Sequence, residues 1–285
     1  MPAPSILHAL SYGFVQHAIL AGVLSAILCG VIGPFVVVKR LAFIGGGISH
    51  AAFGGLGLCF FLGVNPIWGA IGVSLLFAVL LGLVDTEKVR SQDALIGVLW
   101  AAGVAVGIVF IAKTPGYAPN LMTYLFGNIL LVTRTDVWIT FALSAVVLAT
   151  VALFYKGLVA VAFDEVFARV QGAPVRFLRT LLLVLMALVV VILIQVVGII
   201  LVIALLTIPP VIALMLCRDL KWVILTSVGL GVTMTLAGLG LSYEADLPSG
   251  PVIILLGTAV LLAVYAARRT WKRGGLEIRG PGERA

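Results

Sequence analysis

The stretch "TLLLVLMALVVVILIQVVGIILVIALLTIPPVIALML", residues 180–216, contains 37 consecutive residues without a charged side chain. A helix that crosses a hydrocarbon core about 30 Å thick needs roughly 20 apolar residues. Gly198 divides the stretch into two runs of about that length, and a proline pair lies inside the second run. The stretch therefore indicates two consecutive transmembrane helices and an integral membrane protein.

The rest of the chain has the same character. Of its 285 residues, 62% are hydrophobic and 10% are charged, which is too little polar surface to coat a water-soluble globule. The predicted spans are 12–38, 42–63, 66–84, 93–112, 135–155, 180–197, 199–216, 221–241 and 250–267. We therefore predict an all-α polytopic membrane protein of about nine transmembrane helices, with eight to ten as the range that the run lengths allow. Residues 1–270 are predicted to form a single transmembrane domain.

The basic residues that give the chain its net charge of +7 lie mostly in alternate loops between the predicted spans. If the N-terminus lies outside, 16 of the 18 basic residues fall on the cytoplasmic side, and only Lys113 and Arg134 fall on the other. This asymmetry is the positive-inside signature, so the predicted orientation is N-out/C-in, with membrane lipid rather than nucleic acid as the surroundings. The segment 271–285 is predicted to be a mobile cytoplasmic tail. No basic residue precedes Lys39, so no secretory signal peptide is expected.

Two segments interrupt the regular succession of spans. In "KTPGYAPNLMTYLFGNILLVTRTD", residues 113–136, an apolar run is too short to cross, so we predict a re-entrant or interfacial helix on the outer side. In the span 199–216, Pro209 and Pro210 lack backbone donors, so carbonyl groups near Leu205 and Leu206 lose their helical partners. Such groups must be buried in protein or face a cavity.

The largest cytoplasmic segment is "YKGLVAVAFDEVFARVQGAPVRFLRT", residues 155–180. Asp164 and Glu165 begin a short helical pattern with apolar residues on one side, and Gly172 stops it. A compact amphipathic element of this kind either lies on the bilayer or docks on a partner protein. Its anionic start disfavours the bilayer, where a strongly basic polar face is usual.

His50, in "GGGISHAAFGG" (residues 45–55), is the strongest candidate for chemistry. It lies about 12 Å from the inner end of its span, at 1.5 Å per residue, and therefore near the bilayer midplane. Ionisable groups at that depth usually face a cavity or pathway, and neutral imidazole binds divalent cations. The alternative is a packing histidine that hydrogen-bonds a carbonyl group of a neighbouring helix.

The remaining polar residues are weaker candidates. Gln195 and Thr207 are predicted to form interhelical hydrogen bonds or to line a path. Glu244 and Asp246 lie in an outer loop, where they either attract cations or contact an outer partner. The cysteines fall in different spans without CxxC spacing, which predicts packing roles: Cys29, Cys59 and Cys217.

Catalytic motifs are missing from the sequence. There is no nucleophilic triad, no HExxH and no GxxxxGK[ST], so the chain is not predicted to be an enzyme, and ATP would have to be bound by a second polypeptide. An ion-coupled secondary transporter of metal or small solute is the alternative function. That class generally uses buried carboxylates, whereas all 11 acidic residues here fall in or beside loops.

Five stretches, taken in order, resemble the zinc/manganese type of metal-uptake ABC transporter permeases. They are "GPFVVVKRLAFIGGGISHA" (33–51), "LMTYLFGNILLVT" (121–133), "FDEVFARVQGAP" (163–174), "LLTIPPVIA" (205–213) and "YEADLPSGP" (243–251). The resemblance implies the permease subunit of an importer in the cell inner membrane that moves zinc or manganese by alternating access. It implies a homodimer, two copies of an ABC ATPase that bind ATP, an extracytoplasmic metal-binding protein, and no cofactor bound by this chain.

The resemblance also implies roles for His50 and for the coupling element, and the other site residues are predicted from their positions in the sequence. The metal path would include His50 and Ser49, with Gly46, Gln195, Thr207, Pro209 and Pro210 as its lining. The element that couples to the ATPase would include Phe163, Asp164, Glu165, Phe167, Ala168, Arg169 and Gly172. The outer partner would dock on Arg134, Glu244 and Asp246. The family commonly has an aspartate four residues before the histidine, where this chain has Gly46; without that oxygen ligand, ligand preference favours zinc, copper or nickel over manganese.

Overall fold

The computed structural model describes residues 11–83, 92–115, 127 and 129–274. Within these ranges, all regular secondary structure is helical. The helices are α1 (Gly13–Val38), α2 (Ala42–Phe61), α3 (Pro66–Leu83), α4 (Gln92–Lys113), α5 (Arg134–Phe163), α6 (Glu165–Val170), α7 (Val175–Val197), α8 (Ile199–Leu216), α9 (Leu220–Ala245) and α10 (Ser249–Gly274), with a short 3-10 helix at Ile129–Leu131.

Apart from α6, every α-helix in the described ranges is long and apolar enough to cross a membrane, which gives nine candidate spans there. Each of the nine predicted runs corresponds to one of these helices. The predicted all-α polytopic architecture is therefore confirmed, and the short element between α5 and α7 is the compact helix that the sequence pattern indicated.

The boundaries around that element differ from the prediction. Helix α5 continues to Phe163 rather than ending at 155, and α7 begins at Val175 rather than at 180. Lys156 suggested a loop because a charged residue is costly in hydrocarbon. The structure instead buries Leu158 and Val161, each 1% exposed, so that tertiary packing continues the helix past the charge.

Some predictions fall partly outside the described residues. Of the predicted outer segment 113–136, the structure describes residues 113–115, 127 and 129–136, so the predicted re-entrant helix lies mostly outside the described residues. Near the end of this segment, helix α5 begins with a capping box between Thr133 and Asp136. Helix α10 extends through Gly274, so the first four residues of the predicted tail 271–285 are helical. His8 and residues 275–285 lie outside the description.

Helices α1 and α7 form the centre of the bundle, because buried side chains line most of their length. Helix α7 packs against α1, α2, α3, α5 and α8, and α1 also packs against α9. Helices α4 and α10 expose most of their surface. The bundle thus has a protein-packed interior and an apolar periphery suited to lipid.

Helices α2 and α4 approach each other through glycine. A Cβ atom added to Gly54 would lie 2.8 Å from the carbonyl oxygen of Gly103, and one added to Gly57 would lie 2.5 Å from that of Gly107. Small residues permit this backbone-to-backbone packing, which is the main way that membrane helices gain close contact when lipid is as apolar as their side chains. This contact fixes which side chains of α2 and α4 meet.

Helix α8 continues through its two prolines. Pro210 removes the donor for the carbonyl group of Leu206, and that carbonyl oxygen lies against Gly33 of α1, where an added Cβ atom would be 2.7 Å from it. Leu205 and Leu206 are each 3% exposed. Of the two alternatives that the sequence left open, burial in protein or exposure to a cavity, the structure shows burial of both residues.

Basic residues of the described ranges are concentrated at one end of the bundle. The end that carries α6 is here called the basic end. Because successive spans run in opposite directions, the basic residues at this end are Lys39, Arg40, Lys156, Arg169, Arg176, Arg179, Arg218, Lys221, Arg268, Arg269, Lys272 and Arg273. The opposite end holds two basic residues of the described ranges, Lys113 and Arg134, together with Asp136, Glu244 and Asp246. The distribution fits the predicted topology, in which the basic end faces the cytoplasm.

Candidate functional site

His50 lies on α2 and stacks face to face on the indole of Trp100 from α4. The ring centroids are 4.3 Å apart and the ring planes differ by 12°. His50 and Trp100 are both half-buried. A ring that is stacked by its face presents its two nitrogen atoms along its edge, where a metal ion or a hydrogen-bond partner approaches.

Trp100 is the residue that the sequence reasoning missed. A tryptophan in an apolar span carries no signal of its own, because aromatic residues are common in membrane helices and at their ends. Its partnership with His50 depends on the glycine contact between α2 and α4. Within the described ranges, the structure shows no hydrogen bond from His50 to a carbonyl group of a neighbouring helix, so the ring stack is what orients the imidazole.

Gly46 lies one helical turn before His50 and faces the same aromatic partner. A Cβ atom added there would be 3.5 Å from Cζ3 of Trp100 and 3.9 Å from Cδ1 of Ile203 on α8. A methyl group therefore fits, whereas a longer side chain meets the indole. In this chain, the position where the resemblance leads one to expect an aspartate is covered by Trp100.

Ser49 is not brought together with His50. Its side chain is 1% exposed, and its hydroxyl donates a hydrogen bond of 2.8 Å to the carbonyl oxygen of Gly45 in the same helix. Adjacent residues on a helix do not face each other. As a path ligand, Ser49 would therefore act from a different face of α2 than His50.

Three of the other predicted lining residues, Thr207, Pro209 and Pro210, take part in local packing. The hydroxyl of Thr207 donates within α8, to Ile203 O at 2.8 Å and to Ala204 O at 3.3 Å, so the predicted interhelical bond is wrong: its own helix supplies an acceptor one turn back. Pro209 is buried and borders a small apolar cavity with residues of α9 and α10, and Pro210 packs on α1. Gln195 is exposed, two residues before the end of α7.

Among the described residues, no group of three or more His, Cys, Asp or Glu side chains is placed so that it could hold a metal ion. A tight tetrahedral metal site needs four ligands, so the described part of one chain does not build one. Cys29 is buried, and Cys59 and Cys217 are half-buried free thiols, in keeping with their predicted packing roles. Within this part, His50 is the candidate ligand in the middle of a span.

The short helix α6 presents an apolar surface at the basic end. Four large side chains project outward, one from the last residue of α5 and three from α6, with exposed fractions of 57 to 82%: Phe163, Val166, Phe167 and Val170. Asp164 caps the helix by accepting hydrogen bonds of 2.9 Å from the backbone N–H groups of Val166 and Phe167. Gly172 ends the segment with φ +79°. Exposed apolar side chains on a capped helix favour docking in the groove of a partner protein.

Two residues of α6 face the protein instead. Ala168 is fully buried, and the side chain of Glu165 is 24% exposed. The carboxylate of Glu165 forms an ion pair with Lys39 at the end of α1 and lies 3.9 Å from Nη1 of Arg179 on α7. Arg169 points to solvent with the apolar residues. The predicted coupling residues therefore divide into an outward set and an inward set.

The predicted outer docking residues are exposed at the opposite end. Arg134 is the first residue of α5, Glu244 lies in the last turn of α9, and Asp246 caps α9 in the left-handed conformation with φ +51°. The turn after α9 is closed by a hydrogen bond of 2.5 Å from Ser242 Oγ to the carbonyl oxygen of Leu247. All three charged side chains are accessible to a partner.

Comparison with known proteins matches residues 11–268 to the model of the ABC 3 transport family. An uncharacterized membrane protein of Synechocystis sp. is 42% identical, over 93% of this chain and 94% of that protein. The manganese transport system membrane protein MntC of Halalkalibacterium halodurans is 36% identical, over 90% of this chain and 88% of that protein. The solved structure of PsaBC from Streptococcus pneumoniae in complex with Fab matches with TM-score 0.82 and 33% identity, over 91% of this chain and 94% of that one.

Proposed function

The chain belongs to the ABC 3 transport family, and we propose that it is the membrane-spanning permease subunit of an ABC importer. The cargo is a divalent transition-metal ion, manganese or zinc, and the location is the cell inner membrane, which the chain crosses several times. The observation that carries this proposal is the match along nearly the whole chain to relatives such as the manganese transport protein MntC. The nine apolar helices of the described ranges support it.

The energy source in this proposal is a separate ATPase. The sequence holds no GxxxxGK[ST], which a phosphate-cradling loop needs, so ATP binding and hydrolysis belong to a partner present in two copies. Helix α6 docks on that partner through Phe167, together with Phe163 at the end of α5, at the basic end, which faces the cytoplasm. Closure of the ATPase pair then moves α6 and, through it, the transmembrane helices.

The metal path in this proposal passes His50 of each copy in a homodimer. The imidazole edge, held by the stack on Trp100, gives a passing cation one nitrogen ligand per subunit. Two such ligands hold an ion weakly compared with a four-ligand site, and weak binding suits a transit site because the ion must leave again. The ion arrives from an extracytoplasmic metal-binding protein that docks on Arg134, Glu244 and Asp246.

Two arguments about the identity of the transported metal favour different ions. The name of the relative MntC favours manganese, whereas a site with imidazole and without a carboxylate favours zinc. Gly46 removes the oxygen ligand that would favour manganese. We propose that the path accepts both ions, and competition between labelled manganese and unlabelled zinc measures the preference.

The test of the proposed function uses the permease with its cognate ATPase in proteoliposomes. ATP is expected to drive accumulation of manganese or zinc, and an ATPase that lacks its P-loop lysine is expected to abolish it. Accumulation driven by a pH gradient without ATP would instead establish the ion-coupled secondary transporter. That outcome would overturn the proposal, including the role of α6.

A further inference from the structure

The carboxylate of Glu165 joins the outward-facing helix α6 to three transmembrane helices. One oxygen atom, Oε1, accepts a hydrogen bond from Nζ of Lys39, at the end of α1. The other, Oε2, lies 3.9 Å from Nη1 of Arg179 on α7. Arg179 in turn donates a hydrogen bond of 2.8 Å from Nη2 to the carbonyl oxygen of Gly82, at the end of α3. The side chains of Lys39, Glu165 and Arg179 are 13 to 24% exposed, so the cluster is largely shielded from water.

Lys39 lies in the corner, the short turn between α1 and α2, and α2 is the helix that carries His50. Lys39 caps α1, and only Arg40, with φ +58°, and Leu41 separate it from α2. The corner is closed by backbone hydrogen bonds, among them Leu41 N to Val36 O at 2.8 Å. A force applied at Lys39 therefore acts on the first turn of α2, and His50 lies about 12 Å further along that helix at 1.5 Å per residue.

The second connection reaches the same helix by another route. Arg179 holds the end of α3, and α3 packs against α2 where Gly55 and Gly69 approach so closely that neither has room for a side chain. Rigid, closely packed helices move as units, because protein interiors are close to crystalline density. Both contacts of Glu165 therefore lead to α2.

We propose that Glu165 is a positioning residue that transmits movement of α6 to α2 through its ion pair with Lys39, with Arg179 as a second connection. This inference rests on the proposed function, since it assumes an ATPase that moves α6. It separates two tasks within α6. The outward apolar side chains receive the partner, whereas Glu165 faces inward and holds the permease.

The charged nature of the link suits transmission. A hydrogen bond between two ionised groups is shorter and roughly twice as strong as a neutral one. In a shielded site, removing one partner leaves the other charge without its compensation. The pair therefore resists separation when α6 moves.

The experiment uses the complete complex of permease and ATPase in proteoliposomes, with radioactive manganese as the probe. Transported ions and hydrolysed ATP are counted in the same samples. The variants are Lys39→Met, Glu165→Gln, the double variant, and the charge swap Lys39→Glu with Glu165→Lys. Arg176→Met is the matched control, since Arg176 is an exposed cation on α7, three residues before Arg179.

Each single variant is expected to keep binding the ATPase and to move about tenfold fewer ions per ATP, the factor that corresponds to about 1.4 kcal/mol. The double variant is expected to lose little more than either single one, because the two residues act as one pair. The swap is expected to recover part of the ratio, because it restores an ion pair between positions 39 and 165 but brings the new cation close to Arg179. Arg176→Met is expected to leave the ratio unchanged. A residue with a merely structural role would lower the amount of complex without changing the ions moved per ATP.

Single variants with the wild-type number of ions per ATP overturn the inference, as does a double variant whose loss is the product of the two single losses. If a single variant fails to insert into the membrane, the number of ions moved per ATP by the charge-swap variant decides between the two outcomes. Insertion of the swap with clearly more than about a tenth of the wild-type ratio supports the pair, and insertion with about a tenth or less overturns it. A wild-type complex that moves neither manganese nor zinc refutes the proposed function instead, so the two failures are distinct.

Discussion

Removing the indole of Trp100 is expected to weaken the proposed contact between His50 and the transported ion. In Trp100→Ala the imidazole loses the ring face on which it stacks at 4.3 Å, and it gains rotamers in which its nitrogen atoms point elsewhere. Only some of these rotamers direct a nitrogen atom to the ion, so binding of the ion must restrict the imidazole to them. The binding free energy is therefore reduced by the free energy with which the stack had held the ring.

The size of the effect follows from the geometry. Aromatic pairs with near-parallel rings at this distance contribute about 0.5–1.5 kcal/mol beyond the area they bury. Burial adds little here, because lipid is as apolar as the protein interior. We therefore expect the KM for uptake to rise roughly twofold to twelvefold in Trp100→Ala. Trp100→Phe, which keeps an aromatic face, recovers part of this loss.

The assay is ATP-driven uptake of labelled manganese and of labelled zinc into proteoliposomes at several metal concentrations, with ATP hydrolysis as the measure of intact assembly. His50→Ala sets the limit for complete loss of the ligand. Gly46→Ala is the matched control, because its methyl group would lie 3.5 Å from the indole in ordinary contact. An unchanged KM in Trp100→Ala, or a Phe variant as impaired as the Ala variant, would refute the reasoning.

Three further outcomes are expected. Gly54→Val is expected to lower the melting temperature of the purified permease in detergent, because its Cβ atom would lie 2.8 Å from the carbonyl oxygen of Gly103. Such overpacking costs about 1–3 kcal/mol. The control is Gly229→Ala, since the space around the added atom is open. Phe167→Ala weakens binding of the ATPase by about tenfold or more in a pull-down titration, as expected of an exposed aromatic anchor, and unaltered binding would remove Phe167 from the interface. Asp164→Ala removes the N-terminal cap of α6, which contributes about 1 kcal/mol to the stability of the helix, so the affinity for the ATPase is expected to fall by about fivefold. Asp164→Asn keeps a hydrogen-bond acceptor at this position and is expected to bind the ATPase like the wild type.

The spans could be predicted from the sequence because the requirement for about 20 apolar residues is local. The same holds for the position of α6, since Asp164 caps it and Gly172 ends it through interactions within a few residues. Where the prediction failed, at the end of α5 and the start of α7, burial of Leu158 and Val161 outweighed the local effect of Lys156. Local rules could not include that burial.

The sequence by itself determined an all-α membrane protein, a histidine deep in its second span and a short helix after its fifth span, because each of these depends on residues that are neighbours along the chain. Only the tertiary structure decided that His50 meets Trp100, that Glu165 turns inward to Lys39, and that Thr207 bonds within its own helix. These contacts depend on the rotation and depth of one helix against another. Close approaches such as that of Gly54 to Gly103 fix that register, and a periodic apolar pattern does not encode it.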